Sequence, residues 1–296
     1  MDFKQIEAFV YVVRHKSFSR AADAIFLTQP TVSAHISSLE KELGTKLIDR
    51  SGKSIEPTDA GKLFFEHAVN LMNTRDSAVF SLSSYNNIIK GKIEIAASTV
   101  PSQIILPSFM KSFIEIYKDV SFSITQMDSA EVASAVLEKE YEIGIVGTKF
   151  ESSKLCCNKI ANDKLVLITP NSSKYAEIID ETIPFSTIAK EKFIIREAGS
   201  GTRREFERII MDSGIPKSSI NIIGQMNSTE AIKQSVSMGL GVSIMSKLSV
   251  QDYVSCGLLK AFDIEGLDLS RAFYLIYMTN RPLSPLSNLL VKYICN

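Results

Sequence analysis

Thr28-Gln29-Pro30-Thr31-Val32-Ser33-Ala34-His35-Ile36-Ser37-Ser38-Leu39-Glu40-Lys41-Glu42-Leu43-Gly44 decides the reading of the N-terminal region. Val32, Ile36, Leu39 and Leu43 step by four, three and four residues, a single apolar stripe along a helix. Thr28 is placed to cap that helix, Pro30 suits its first turn and Gly44 ends it. The opposite face offers Pro30, Ala34, Ser37 and Lys41, flanked by Thr31, Ser33 and Ser38, and no acid occurs from Gln29 to Leu39. Small hydroxyl and amide groups of this kind suit a DNA major groove, from which phosphate would repel a carboxylate.

The flanks extend the pattern. Phe3, Ile6, Phe9, Val10 and Val13 recur at helical spacing, giving a first helix that ends near His15-Lys16. Ser17 or Ser19 caps a second, Arg20–Ala24, whose alanines permit close approach to a neighbour. After Gly44, Lys46–Arg50, the turn Ser51-Gly52-Lys53 and the returning Ile55-Glu56-Pro57 predict a hairpin wing. The expected DNA contacts are Ser19, Arg20, Gln29, Pro30, Thr31, Ser33, Ala34, Ser37 and Ser38, with Arg50 and Lys53 of the wing on phosphate.

Ala21-Ala22, Leu27-Thr28-Gln29-Pro30-Thr31-Val32-Ser33, Ile36, Leu39-Glu40, Leu43-Gly44, Leu47, Asp49-Arg50 and Thr58-Asp59-Ala60-Gly61 together resemble the LysR-type regulator signature over about 60 contiguous residues. Ile48 stands where the family usually has Phe, and Pro57 where it usually has Leu, at the edge of the wing. The resemblance implies a winged helix-turn-helix, a linker helix, a two-lobed effector domain, promoter DNA as partner and a homotetramer.

From Thr58 the pattern becomes one long helix. Phe64, Ala68, Leu71, Arg75, Ala78, Leu82, Tyr85 and Ile89 alternate steps of four and three, a seam that needs a partner and predicts a homodimer. Arg75 either pairs with Asp76 across the dimer or ends the tight contact. Lys90-Gly91-Lys92 reads as the break before the next domain. The expected division is a DNA-binding domain over 1–60, a linker helix over 61–90 and an effector domain over 91–296. Within the last, lobe I takes 91–161 and 268–296, and lobe II takes 162–267.

Beyond Gly91, short apolar strands alternate with helices, run twice, which predicts two α/β lobes with parallel sheets and a crossing near Ala161-Asn162-Asp163. The architecture is like that of periplasmic binding proteins. Ligands of such sheets sit at strand C-termini and helix N-termini. Those positions hold Ser98, Thr99, Ser102, Gln103, Thr148, Gly199, Ser200, Gly201, Thr202, Asn227 and Ser228, rich in hydroxyls and free backbone N–H groups. They predict a small anionic effector between the lobes. Arg203 either contacts that anion or pairs with Glu207 one turn on. The Ala-Ser-Thr opening and the Arg196–Arg203 loop resemble the branch of the family that controls sulfur or selenium metabolism.

Composition excludes other classes. The 296 residues hold 33 basic and 33 acidic side chains, so net charge gives no case for nucleic acid and pattern must carry it. No apolar run is long enough to cross a bilayer and the N-terminus has no secretory signal, which predicts a cytoplasmic protein without membrane contact. His15, His35 and His67 are the only histidines, so neither a catalytic set, a metal site nor a cofactor is expected in the lobes. Cys156 and Cys157 are adjacent while Cys256 and Cys295 stand alone, which fits reduced structural thiols. The alternatives are a solute-binding protein or enzyme with an anion cleft, and a thiol-based redox sensor, which would need a second cysteine close in space.

Overall fold

A computed structural model describes residues 1–50, 55–85, 89–176, 178 and 181–295. The chain divides into two units, Met1–Gly91 with Asn280–Leu289, and Lys92–Thr279 with Leu290–Asn296.

The first unit starts with α1 (Phe3–His15), where Asp2 and Gln5 form a capping box and Lys16 closes the helix in the left-handed region. Ser17 caps α2 (Phe18–Ala24), settling the choice between Ser17 and Ser19. Thr28 caps α3 (Gln29–Leu43), and Gly44, at φ 67°, ends it. Val32, Ile36 and Leu39 are fully buried, whereas Leu43, on the last turn, is 39 % exposed and leaves the stripe. They pack with Ile6, Phe9, Val12, Ala21 and Ala22. Strands β1 (Ile48–Asp49) and β2 (Glu56–Pro57) pair antiparallel as the wing's base. The wing turn and Lys53 lie outside the described residues. Helix α4 (Asp59–Tyr85) starts against this hairpin, where a Cβ on Gly61 would run into the Leu47 carbonyl.

The seam on α4 divides. Phe64 and Ala68 join the core of the first unit. Leu71, Leu82 and Tyr85 stay exposed, at 39, 69 and 85 %. Arg75 lies with its guanidinium 5.6 Å from the centre of the Phe3 ring of the same chain. Ile89 falls beyond the helix, which ends at Tyr85.

The second unit runs β3 (Lys90–Ala97), a π-helical turn (Pro101–Ile105), α5 (Leu106–Ile116), β4 (Asp119–Gln126), α6 (Ser129–Leu137), β5 (Ile143–Val146) and β6 (Leu155–Pro170). It continues through α7 (Ser173–Ala176), β7 (Thr182–Ile183), α8 (Phe185–Ile188), β8 (Lys192–Arg196), α9 (Gly201–Asp212) and β9 (Asn221–Met226). Then come α10 (Thr229–Ser237), β10 (Ser243–Ser246), α11 (Lys247–Ser255), β11 (Leu259–Ile264) and β12 (Ser270–Met278); α12 (Pro285–Cys295) ends the chain. The main sheet has the order β4-β3-β5-β12-β6-β11-β7, with β10 also on β6, while β8 and β9 form a separate parallel pair.

The expectation of parallel sheets needs correction. β3 and β5 run parallel, but β12, β10 and β11 all run antiparallel to β6. The cause is the length of β6: its 16 residues traverse both lobes as one strand. Leu155–Lys164 pairs with β12 in lobe I, and Leu165–Pro170 pairs with β10 and β11 in lobe II. The pairing with β12 slips where Phe273 faces Ala161 but Tyr274 faces Lys159, leaving Ile160 without an opposite residue.

Candidate nucleic-acid interface and effector cleft

On the first unit, Ser19, Arg20, Gln29, Pro30, Ala34, Ser37 and Ser38 are exposed, and Thr31 and Ser33 are half-buried. Three of these are already engaged, Thr31 with the Thr28 hydroxyl at 2.8 Å. Gln5 donates to the Ser38 hydroxyl at 3.2 Å, and Arg50 donates from Nη1 to the Ser33 hydroxyl at 3.1 Å. Arg50 also lies 4.8 Å over the Phe18 ring, so it is braced against α2 and α3 at the base of the wing. Glu40, missed from the sequence, fixes the wing to α3. Its buried carboxylate accepts the backbone N–H groups of Leu47 and Ile48 at 2.9 and 3.1 Å and the Lys46 ammonium at 2.8 Å. Burial pushes its pKa up, and these donors outweigh burial to leave it below the ordinary glutamate value. The turn before α3 carries Phe26, 94 % exposed at φ 56°, a conformation that bulky side chains avoid.

In the second unit, Ser98, Thr99, Ser200, Gly201 and Thr202 line one small pocket of about 20 Å³ between the lobes, with room for about one water. Three charged residues outside the expected set line it too: Arg196 and Arg271, and the acid Asp128, whose carboxylate caps α6. Arg196 donates to both carboxylate oxygens of Glu197, at 2.7 and 2.6 Å, and across the cleft to Thr99 at 3.3 Å. Arg271 is buried; it donates from Nε to Asp163 at 2.7 Å and from Nη1 to Thr202 at 3.0 Å, while its Nη2 is buried without an acceptor. Burial pulls the Arg271 guanidinium below its usual range, opposed by Asp163. Asp163 also accepts from the Ser246 hydroxyl at 2.9 Å. A charged residue inside the apolar run Ser270–Met278 was the only sequence signal for this pair.

The two glycines serve closure of the lobes. A Cβ on Gly199 would collide with the Asp128 carboxylate, and one on Gly201 would lie 2.8 Å from the Ser129 hydroxyl. Asp128 caps α6 by accepting from Ala130 and Glu131. Ser200, at the N-cap of α9, makes no capping bond, so the first N–H groups of this helix have no side-chain acceptor from it. Arg203 is committed elsewhere: to Glu207 at 2.8 Å, Gln225 at 2.7 Å and the Arg196 carbonyl at 3.2 Å.

The remaining expected residues separate. Thr99, Gln103, Asn227 and Ser228 line a wider cleft of about 890 Å³, where Lys233 pairs with Asp252 and Glu230. Ser228 caps α10, and Ser102 bonds the Thr99 carbonyl and Gln126. Thr148 is not part of either space. It donates to Glu205 at 2.5 Å and lines a third groove. Among the cysteines, Cys156 lies within electrostatic range of Cys295, whose thiol burial pushes up, away from the reactive thiolate. Among the described residues, no helix is long and apolar enough to cross a membrane.

Comparison with known proteins fits both units. Residues 3–62 match the model of the bacterial regulatory helix-turn-helix protein, lysR family, and residues 87–295 match the LysR substrate binding domain. An uncharacterized HTH-type transcriptional regulator of Methanocaldococcus jannaschii is 35 % identical over 279 residues, covering 94 % of this chain and 93 % of the relative. Full-length CbnR, solved with its target DNA, has a similar fold with a TM-score of 0.61 at 19 % identity, covering 99 % of each chain. The regulatory domain of CcmR from Synechocystis PCC6803, solved with 2-PG, has a TM-score of 0.62 at 23 % identity, covering 70 % of this chain and 96 % of that one. With a helix-turn-helix whose polar face is exposed, a two-lobed domain after it in sequence and family models matching nearly all of its length, the chain belongs to the LysR family of transcriptional regulators.

Proposed function

We propose that a small oxyanion or carboxylate, bound in the inner pocket between the lobes, sets how this regulator holds promoter DNA, without any reaction being catalysed. Arg271 carries the reading: its Nη2 is a buried cationic donor with no acceptor, at the wall of a pocket lined by hydroxyls. Burying such a group unpaired is costly, and an anion removes that cost. The uncapped N-terminus of α9 points the same way, because its N–H groups and dipole favour negative charge. The pocket holds about one water in this structure, so an oxyanion enters only as the lobes part, and a large planar ligand requires a wider opening. The exposed Leu71, Leu82 and Tyr85 on α4 support a homodimer through that helix, and a homotetramer follows the family pattern. Such a protein works in the cytoplasm, beside the DNA it binds.

The test is thermal denaturation of the full chain with sulfate, selenate, thiosulfate, phosphate or acetylserine. A ligand at 100 times its dissociation constant stabilises by about 2.7 kcal/mol. Ser98→Ala should abolish the shift. A shift that survives Ser98→Ala, or a response confined to neutral aromatic compounds, would overturn the anion reading.

A further inference from the structure

The second unit has another concave space, which shares Arg271 with the inner pocket and otherwise has its own lining. Arg271 borders both spaces; Phe273 lines the inner pocket, while Ser270, Ala272 and Tyr274, with Thr148, line a groove of about 640 Å³. Lys149 and Glu151 border it from the loop after β5, Lys159 and Asn162 from β6, and Arg204, Glu205 and Arg208 from α9. It therefore touches both lobes and the strands that join them.

Its charges do not balance internally. Arg208 is taken by Glu205 and Asp212, at 3.0 Å each, and Glu205 also accepts from Thr148. Arg271 is held by Asp163, which leaves Lys149, Lys159 and Arg204 facing Glu151, an excess of two positive charges. Neither lysine forms an ion pair among the described residues. The Arg204 guanidinium lies 4.8 Å over the Phe150 ring, which orients the plane and leaves its N–H groups for a ligand. The Asn162 amide and the Tyr274 hydroxyl are further hydrogen-bonding groups on the lining.

We infer that this groove is a second ligand site, for a hydroxylated phosphomonoester, with Lys149, Lys159 and Arg204 on the phosphate. A phosphomonoester is about doubly charged at neutral pH, which matches the excess, and its oxygens suit an oriented guanidinium between two point charges. The two spaces share Arg271, but the three phosphate contacts are not residues of the inner pocket.

Calorimetric titration of the full chain with glycerol 2-phosphate tests this, with glycerol as the uncharged control. Wild type should bind the phosphate compound and ignore glycerol. Lys149→Gln with Lys159→Gln replaces two exposed side chains and should weaken binding by about tenfold or more. Ser98→Ala, in the inner pocket, should leave it unchanged. No binding by wild type, an unchanged affinity in the double variant, loss in Ser98→Ala, or tighter binding of succinate than of glycerol 2-phosphate would each overturn the inference.

Discussion

Glu40 in the first unit and Asp163 in the second are both buried carboxylates that tie separate pieces of chain together, and their partners come from very different distances. Glu40 is served by Lys46, Leu47 and Ile48, six to eight residues on. Asp163 is served by Arg271 and Ser246, 108 and 83 residues on. The first is a local clasp between a helix and the strand that follows it. The second forms only after the chain has passed through lobe II and come back. A further difference lies in what each neutralises: Lys46 keeps three quarters of its side chain in water, whereas Arg271 has no water to fall back on.

That difference sets the order of the expected losses. Asp163→Ala strands a buried guanidinium and should destabilise the second unit by about 3–5 kcal/mol, read from urea denaturation. A loss smaller than that of any Glu40 variant would break the comparison. Glu40→Ala leaves the Leu47 and Ile48 N–H groups without an acceptor and should destabilise the first unit by about 2–3 kcal/mol. Glu40→Gln keeps the oxygen that both N–H groups use and loses only the Lys46 pair, so its cost should stay under about 1 kcal/mol.

The acid limb sharpens the same contrast. The pKa of Glu40 is lower folded than unfolded, so its contribution is complete above the ordinary glutamate value. It is lost as pH falls through the folded value. Glu40→Gln should flatten that part of the stability profile, and an unaltered acid limb would show that Glu40 is not its source. The smallest effect concerns DNA. Ser33 and Arg50 share a hydrogen bond, so Ser33→Ala and Arg50→Ala should not add in promoter affinity, with a coupling of about 0.5 kcal/mol in a double-variant cycle. Strict additivity would separate the roles of helix and wing.

How far each half could be read from its sequence follows the same division. In the first unit, caps, stripes and turns are local, so Ser17, Thr28, Gly44 and the buried trio Val32, Ile36 and Leu39 were legible. Leu43 was misread because its spacing fits while the helix ends beside it. In the second unit, the alternation of strands and helices was legible, but the lobe I half of β6 and the strand directions were not, because the antiparallel partners of β6 are set by how the chain returns. The strand β11 was overlooked, since Leu259–Ile264 mixes Lys260 and Asp263 into a short apolar run. Hydroxyl-rich loops after strands pointed to the cleft, yet the composition of a loop does not say which of three spaces it lines, and Thr148 faced away from the rest. Arg196 flanked the expected loop without being counted in the site, and Arg271 lay in a segment assigned to lobe I without any site role.

The slipped pairing at Ile160 bears on how the two lobes move. Paired strands hold their hydrogen bonds when they twist and lose them when they slide, so shear along β6 and β12 is stiff and torsion about them is soft. One residue without a cross-strand partner lowers the torsional stiffness at that level, inside lobe I and before β6 changes partners at Leu165. A turn of one lobe against the other about the strand pair is the motion that leaves these ladders intact. A displacement too small to notice at the axis grows in proportion to distance from it, and the outer ends of the lobes sweep the longest arcs. A ligand near the axis works against a short lever and must be held tightly to turn it.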